Sequence, residues 1–541
     1  MAQPATQTQL SEIAAEAARR RTFAIISHPD AGKTTLTEKL LLYSNAVELA
    51  GSVRTRKNQR HAKSDWMAIE QERGISITSA ALQFDYGGCR FNLLDTPGHQ
   101  DFSEDTYRTL LAVDSAVMVL DAAKGIETQT KKLFEACRLR RIPILTFINK
   151  LDQPAQEPLH LLDEIEKLLG IPAVAQNWPI GDGPDFQGVF DIHSQQVLRF
   201  QRTAHGQHRA DVIVRSIDDP QLDELLGSGP AATLRDDVEL LTIAGEGFDK
   251  AQFLAGDMTP VYFGSALNNF GLEPFLEALL TLAPPPRPHR VEEGFLVAPE
   301  DPEFTAFVFK IQANMNPKHR DSIAFARVCS GKFEKDMSVQ HPRLNRTIRL
   351  TRPYQLFAQD RTSLETAYPG DVVGLANPGL FTIGDSLSTG RTVTFPPIPS
   401  FEPEFFARIH NRDTAKHKQF HKGIEQLEKE GAIQRLTPEN DPHVHPLLAA
   451  VGQLQFEVVE ARLKSEYNVN VDLQYLPYTG AKRIQGSPEA IEAIQWPNGV
   501  VYAEDKQGRP VALYTSQWQM NRCVERNPDV RFRPFSELAA D

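Results

Sequence analysis

Eight consecutive residues near the start of the chain have the types and spacing of a phosphate-binding loop. They are Ser27, His28, Pro29, Asp30, Ala31, Gly32, Lys33 and Thr34. The apolar residues 23–26 before them predict a strand, and residues 34–43 after them predict a helix. Backbone amides at such a turn can surround phosphates, Lys33 would reach the β- and γ-phosphates, and the Thr34 hydroxyl would bind Mg²⁺. Ser27 replaces the usual first glycine, so a helix start without a ligand remains the alternative.

A second polar group follows the predicted strand at residues 91–94. It consists of Asp95, Thr96, Pro97, Gly98 and His99. A carboxylate at the end of such a strand can hold Mg²⁺ through water, which makes Asp95 a metal-binding candidate. The Gly98 amide can approach a γ-phosphate closely because the residue has no side chain.

Two further groups have the chemistry to recognise a base. Strand 144–148 ends in Asn149, Lys150, Leu151 and Asp152, and strand 259–263 leads into Ser265, Ala266 and Leu267. The Asp152 carboxylate can accept from both N1–H and the exocyclic amine of guanine, a pattern that adenine lacks, so an ATP-using enzyme is disfavoured. Open α/β sheets bind ligands at the carboxyl ends of their strands, where all four groups fall. The sequence therefore predicts a site for GTP or GDP.

The elements that must position these groups alternate along residues 18–287, which are expected to form an α/β P-loop domain with a parallel, doubly wound sheet. Strands are predicted at 23–26, 90–94, 116–120, 144–148 and 259–263, and helices at 34–43, 127–139, 159–169 and 272–282. The proline-rich residues 284–288 cannot continue a helix or a central strand, and they predict a stiff joint.

Beyond this joint the pattern changes twice. Residues 288–397 contain short alternating strands separated by Gly, Pro and Asn, which predicts a β-barrel domain. A second proline cluster at 396–399 precedes an α+β domain at 398–541, with helices at 416–430 and 453–466 and a strand at Val469. No internal repeat is visible in the sequence.

The charge balance argues against bulk coating of nucleic acid but permits contact with RNA through local basic segments. The 541 residues contain 58 Lys+Arg against 70 Asp+Glu, a net charge of −12, which argues against coating nucleic acid by bulk positive charge. Residues 54–63 carry five Lys/Arg and no acid, and residues 318–352 carry nine Lys/Arg against three Asp/Glu, a net +6. Either segment could contact RNA, or could be an ordinary solvated surface.

Cysteine spacing and hydropathy indicate the compartment. The four cysteines are far apart, so neither a disulfide framework nor a cysteine-based zinc site is indicated. Residues 1–10 are polar, so we do not expect a signal peptide there, and no run reaches the ~18 apolar residues of a membrane span. We expect a cytoplasmic protein without a membrane partner.

The four nucleotide groups resemble the motifs of the translational GTPases, and residues 72–78 resemble that family's first switch. The resemblance implies that Ser76, where the family usually has threonine, binds Mg²⁺ together with Thr34 and Asp95. It also implies that His99 is catalytic and positions the attacking water beside the γ-phosphate. Residues 452–467 are similar to the third, ferredoxin-like domain of elongation factor G.

A translocase of this family would continue through two more domains, whereas this sequence stops at Asp541. The resemblance therefore implies a monomeric, ribosome-stimulated GTPase of termination that speeds departure of codon-reading release factors and contacts ribosomal RNA and proteins. Two alternatives stay open. One is another ribosome-stimulated GTPase, such as a translocase relative or stress factor, and the other is a GTP-binding tRNA carrier, which the α+β third domain disfavours.

Overall fold

Strands and helices alternate through the first part of the chain, as its apolar periodicity requires. The structure is a computed structural model that describes residues 7–43, 70, 79–200, 212–244, 247–313, 322–357, 360–439 and 446–535. The strands of the first part are β1 (Arg20–Ser27), β2 (Ala80–Tyr86), β3 (Cys89–Asp95), β4 (Ser115–Asp121), β5 (Ile144–Asn149), β6 (Ala173–Ala175), β7 (Asn177–Ile180), β8 (Gly188–Asp191), β9 (Gln196–Phe200), β10 (Val212–Ser216) and β11 (Thr259–Phe263). The helices are α1 (Gln7–Ala18), α2 (Lys33–Tyr43), α3 (Ser103–Leu110), α4 (Thr128–Leu139), α5 (Pro158–Leu169), α6 (Leu222–Leu226), α7 (Ser228–Ala244), α8 (Lys250–Ala255) and α9 (Leu272–Leu282).

Seven of these strands form the central sheet, in the order β2-β3-β1-β4-β5-β11-β6. All neighbours are parallel except β2, which pairs antiparallel with β3 at the edge. Every residue of β4 and β5 is buried, as expected when helices cover both faces of a sheet. The predicted α/β domain is confirmed, and the carboxyl ends of β1, β3, β4, β5 and β11 lie along one edge.

An insertion between β6 and β11 was not predicted from the sequence. It contains a four-stranded antiparallel sheet in the order β10-β9-β8-β7, followed by α6, α7 and α8. The buried Trp178 joins it to the central sheet, since its ring packs against Phe263 and its Nε1 donates to Asp237 Oδ2 over 2.9 Å. The strands of the insertion are four or five residues long in their described parts and too short for a clear period of two.

The predicted β-barrel is also confirmed. Its strands are β12 (His289–Arg290), β13 (Leu296–Val297), β14 (Thr305–Ala313), β15 (Ser322–Ser330), β16 (Phe333–Glu334), β17 (Ser338–His341), β18 (Arg346–Arg349), β19 (Pro353–Phe357), β20 (Asp360–Ser363), β21 (Thr366–Ala367), β22 (Val372–Asn377) and β23 (Ser386–Ser388). Eight of them form an antiparallel sheet in the order β18-β17-β23-β14-β15-β22-β19-β20.

Strands β14 and β15 are buried along their whole length because each has an apolar neighbour on both faces. Val308 and Ala326 face the core of the barrel. Phe307 and Phe325 point the other way and join the apolar cluster of the first domain. The barrel therefore shares a core with the nucleotide-binding domain.

Buried polar groups at the same junction fix the two domains in register. Arg327 Nη2 lies 2.5 Å from Asp114 Oδ2, and both side chains are almost fully buried. Arg20 and Asp371 form a second buried pair at 3.2 Å. Because a buried charge is costly without its partner, each pair favours one docking geometry.

The last part of the chain contains two copies of one strand pattern. Its strands are β24 (Phe405–Asn411), β25 (Gln434–Pro438), β26 (Leu447–Ala450), β27 (Val471–Tyr475), β28 (Gly480–Gln485), β29 (Val500–Asp505), β30 (Pro510–Tyr514) and β31 (Arg531–Arg533). Its helices are α10 (His417–Lys429), α11 (Gln453–Tyr467), α12 (Pro488–Glu492) and α13 (Gln517–Arg526).

The first copy runs β24-α10-β25-β26-α11-β27 and the second β28-α12-β29-β30-α13-β31. Both have the same antiparallel pairings, and β25 of the first copy pairs with β29 of the second. The βαββαβ order confirms the ferredoxin-like prediction. The expectation of no internal repeat was wrong, because the repeat lies in strand order and not in residue identity.

Candidate nucleotide-binding site

The phosphate loop connects β1 to α2 through two residues in the left-handed region of backbone space. Asp30 has φ 66° and Gly32 has φ 96°. Helix α2 begins directly afterwards, and the Leu36 amide donates to Gly32 O over 2.9 Å. The turn therefore places the amino-terminal amides of α2 beside the loop, as an anion site requires.

Lys33 and Asp95 meet at the centre of the site. Lys33 Nζ lies 2.6 Å from Asp95 Oδ1, and the two side chains are only 6% and 2% exposed. Thr96 Oγ1 donates to Ile25 O over 2.6 Å, which holds the end of β3 against β1. A Cβ on Gly98 would stand 3.4 Å from Pro29 N, so the first two predicted groups are in contact.

Asn149 connects the phosphate loop to the two groups predicted to recognise the base. Its Nδ2 donates to Ala31 O over 2.8 Å, and its Oδ1 accepts from the Ala266 amide over 2.9 Å. Ser265 Oγ donates to Asp152 Oδ1 over 2.6 Å. The structure thus brings all four predicted groups together at one edge of the sheet.

The remaining residues of the two base groups differ in exposure. Leu151 is buried and its amide donates to Gly264 O, so its place is in the core. Leu267 is 56% exposed on the loop surface. Lys150 has φ 71°, and its Nζ lies 2.9 Å from Asp121 Oδ2.

Asp121 lies beside the predicted groups and was missed by the sequence interpretation. Burial raises the pKa of this carboxyl, but the hydrogen bonds from Lys150 and the Ala123 amide, together with the charges of Lys150 and Lys124, outweigh burial and the pKa is lowered. The carboxylate therefore stays charged and fixes Lys150. Its position at the end of β4, matching Asp95 on β3 and Asn149 on β5, is the pattern that could have revealed it.

Two residues of the phosphate loop have unusual surroundings. Ser27 Oγ is buried and has no hydrogen-bond partner among the described residues. His28 Nε2 lies 3.2 Å from Glu127 Oε1, at the start of α4. A phosphate oxygen at the loop would give the Ser27 hydroxyl a partner.

His99 begins the short 3-10 turn Gln100–Phe102 and is partly exposed. The Asp101 amide lies 3.2 Å from His99 Nδ1, and Asp101 Oδ1 lies 3.3 Å from the same nitrogen. Ser76 and the basic residues 54–63 lie outside the described residues. Of the three predicted metal ligands, the structure therefore describes Thr34 and Asp95.

Three family models match successive parts of the chain. Residues 18–285 match the elongation factor Tu GTP binding domain, residues 303–390 match elongation factor G domain 2, and residues 395–524 match the class II release factor RF3 C-terminal domain. A solved protein from Thermus thermophilus has the same fold, with a TM-score of 0.67 over 90% of this chain and 72% of that one, at 20% identity. Together with the site, the three family matches define a GTP-hydrolysing translation factor that binds guanine nucleotide.

Relatives that match nearly the whole chain identify the family within this class of translation factors. Proteins named peptide chain release factor 3 are 54% identical in Acaryochloris marina, over 99% of this chain and 98% of the relative, and in Gloeobacter violaceus, over 97% and 99%. The relative from Synechocystis is also 54% identical, over 96% of this chain and 95% of its own. The chain belongs to the peptide chain release factor 3 family. It is a GTPase of translation termination, which removes the tRNA-carrier and translocase alternatives.

Helices of the described residues offer no candidate for a membrane span, because none is both long and apolar enough.

Proposed function

We propose that this protein hydrolyses GTP when it docks on the ribosome after peptide release, and that the cycle speeds departure of the codon-reading release factors. Identity of 54% to proteins named peptide chain release factor 3, over nearly the whole chain, carries this proposal. The proposed partners are ribosomal RNA and proteins, with release factors met on the ribosome. The protein acts as a monomer in the cytoplasm, without a membrane.

The nucleotide is held by the four groups at the sheet edge. Lys33 provides a cation for the β- and γ-phosphates, and the loop amides and the Ser27 hydroxyl donate to phosphate oxygens. Asp152 accepts hydrogen bonds from guanine, with Ser265 holding one carboxylate oxygen. Asn149 keeps the phosphate and base groups at a fixed separation.

The residues present fit a magnesium ion. Thr34 and Asp95 offer hydroxyl and carboxylate oxygens, the hard ligands that Mg²⁺ prefers, and Asp95 already lies beside the phosphate-binding lysine. Ser76 of the first switch would complete the protein ligands. A magnesium ion held there would neutralise charge on the phosphates.

His99 orients the water that attacks the γ-phosphorus as the bond to the bridging oxygen of GDP breaks. Phosphoryl transfer depends on positioning and charge stabilisation, so a misplaced imidazole slows it strongly. His99 lies in a partly exposed turn, where contact with the ribosome could order it. Stimulation by the ribosome then follows from the position of this single side chain.

The barrel offers basic side chains for ribosomal RNA. Among the cations of segment 318–352, Arg327 is buried against Asp114 and is excluded from such contact. Arg343, Arg346, Arg349 and Arg352 are exposed on or beside the β17–β18 hairpin. Their phosphate contacts would position the protein without reading sequence.

Release-factor departure from terminated ribosomes tests the proposal. A labelled codon-reading release factor is bound to ribosomes after peptide release, and its dissociation is followed with the protein plus GTP, with GDP, and without protein. We expect acceleration only with the protein and GTP. Ribosome-stimulated hydrolysis that leaves dissociation unchanged would contradict the termination role.

A further inference from the structure

We propose that Asp101 is a positioning residue that transmits docking of the third domain to His99. This inference rests on the proposed role of His99 in hydrolysis. Asp101 is 7% exposed and lies in the turn Gln100–Phe102, directly between the histidine and α11.

The two carboxylate oxygens of Asp101 face different domains. Oδ1 lies 3.3 Å from His99 Nδ1 within the first domain. Oδ2 accepts a hydrogen bond of 2.7 Å from the Leu454 amide, at the start of α11 in the third domain. One buried carboxylate thus joins the proposed catalytic side chain to a helix 353 residues away in sequence.

Helix α11 needs this carboxylate because its own N-cap residue has no side chain. The N-cap is Gly452, and the first amides of a helix lack partners within the helix. Asp101 caps the Leu454 amide from another domain, and its negative charge also suits the positive end of the helix dipole. Docking of the third domain therefore also places the Asp101 carboxylate.

The close approach of Asp101, and not the backbone conformation, requires a glycine at position 452. Its φ of −140° and ψ of 158° are available to any residue. A Cβ added there, however, would lie less than 3.0 Å from the carboxyl group of Asp101. The glycine leaves the space that Asp101 occupies.

The position of Asp101 also determines what His99 can do with its second nitrogen. If Nδ1–H donates to Asp101 Oδ1, Nε2 is left to accept a hydrogen bond from water. If Nδ1 instead accepts from the Asp101 amide, 3.2 Å away, Nε2 carries the proton. By holding Oδ2, the Leu454 amide fixes the orientation of the carboxylate group and with it the distance between Oδ1 and the imidazole.

Neighbouring contacts keep the same turn against the third domain. Phe102 packs against Val458 and Leu454 of α11. Arg108 of α3 pairs with Glu104 and donates to Glu430 O over 3.4 Å. A cavity of about 60 Å³, lined by residues from all three domains, lies beside these contacts.

Three variants test the inference in the full-length protein. His99→Ala, Asp101→Asn and Gly452→Ala are compared with Gly486→Ala, a third-domain control whose added Cβ would meet its nearest atom at 3.6 Å. We expect the first three to slow ribosome-stimulated, single-turnover GTP hydrolysis by about tenfold or more. GTP affinity should stay close to that of the wild type, and any loss of unfolding free energy should stay near the roughly 1 kcal/mol of one helix cap. The control should hydrolyse GTP normally.

A combined variant separates positioning from a merely structural role. Adding Asp101→Asn to His99→Ala should cause no further loss, because Asp101 acts through the histidine. Normal hydrolysis by Gly452→Ala or Asp101→Asn, or a multiplicative loss in the combined variant, would overturn the inference alone. Normal hydrolysis by His99→Ala would instead remove the proposed catalytic role, and the inference with it.

Discussion

Lys33 is a buried cation whose ammonium group lies against the Asp95 carboxylate. The pair is suited to a ligand that supplies both phosphate oxygens for the lysine and a metal ion for the carboxylate. At the scale of single residues, the chemistry of this site therefore depends on two opposite charges that are both almost fully buried.

Lys33→Ala should weaken GTP binding by roughly tenfold to a hundredfold, the range of one charge-assisted hydrogen bond. Titration calorimetry with GTP measures the change. Lys167→Ala is the matched control, because that lysine is 72% exposed on α5. Unchanged affinity in Lys33→Ala would show that the loop does not hold the phosphates.

Asp152→Asn should exchange base preference. The amide can donate to the carbonyl that xanthine carries in place of guanine's exocyclic amine, whereas the lost carboxylate no longer accepts from guanine. We expect GTP affinity to fall by roughly tenfold or more and xanthosine triphosphate affinity to rise. Competition binding with both nucleotides measures this, and Asp163→Asn, whose side chain is 48% exposed on α5, is the control. Full GTP preference would argue against a base contact by Asp152.

At the scale of elements, loop geometry joins the phosphate and base groups. Gly32 has φ 96°, and a Cβ there would lie less than 3.0 Å from Asn149 Nδ2. The glycine therefore serves both the left-handed turn and the close approach of the asparagine.

Gly32→Ala should weaken GTP binding beyond what its loss of unfolding free energy would cause. Gly88→Ala is the matched control, because Gly88 has φ 77° and open space around its Cα. Backbone strain should cost both variants about 1 kcal/mol of unfolding free energy, and Gly32→Ala should lose more because its Cβ displaces Asn149. Only Gly32→Ala should bind GTP more weakly. Equal GTP affinity in the two variants would mean that the Asn149 contact is unimportant.

Local patterns predicted the elements that carry the nucleotide groups. The strand before Ser27, the strand before Asp95 and the helix after Gly32 each have an apolar period and a turn residue within a few positions. An apolar helix face does not, however, reveal which neighbour will cover it. Leu454 and Val458 of α11 contact Phe102 of the first domain, a partner that the sequence pattern does not identify.

Contacts between distant segments were beyond sequence reasoning. Asp101 and Leu454 are 353 positions apart, and neither the aspartate nor Gly452 differs in type from an ordinary turn residue. The strand repeat of the third domain was missed for a related reason. Two segments can adopt the same strand order when their apolar residues have the same spacing, even if the residues themselves differ. In addition, α12 is much shorter than its counterpart α10.

At the scale of the whole molecule, the junction of the first two domains contains a pH-sensitive group. His289 is partly exposed, but its Nε2 is buried without a hydrogen-bond partner among the described residues. Burial, aided by the charge of Arg327, lowers its pKa to about 4. The unfolded chain, with a pKa near 6.5, therefore binds the proton first as pH falls.

His289 should make the junction sensitive to mild acid. Its contribution is complete above pH 6.5 and is lost as pH falls toward 4, which amounts to about 1 to 2 kcal/mol of unfolding free energy between pH 7 and pH 5. His289→Leu should show a smaller drop in Tm over that interval than the wild type, whereas the exposed His193→Leu should not. Parallel pH dependence in all three proteins would contradict the assignment.

The apolar surface between the first domain and the barrel has a practical consequence for fragments of this protein. A shortened chain ending at residue 287 would lose Phe307 and Phe325, which pack into the core cluster of the nucleotide-binding domain, and would leave Asp114 without Arg327. Such a fragment should self-associate in gel filtration, since exposed apolar patches attract one another. A fragment ending at residue 397 keeps that surface covered. Nucleotide exchange without the third domain is therefore better measured on the fragment ending at residue 397 than on the fragment ending at residue 287.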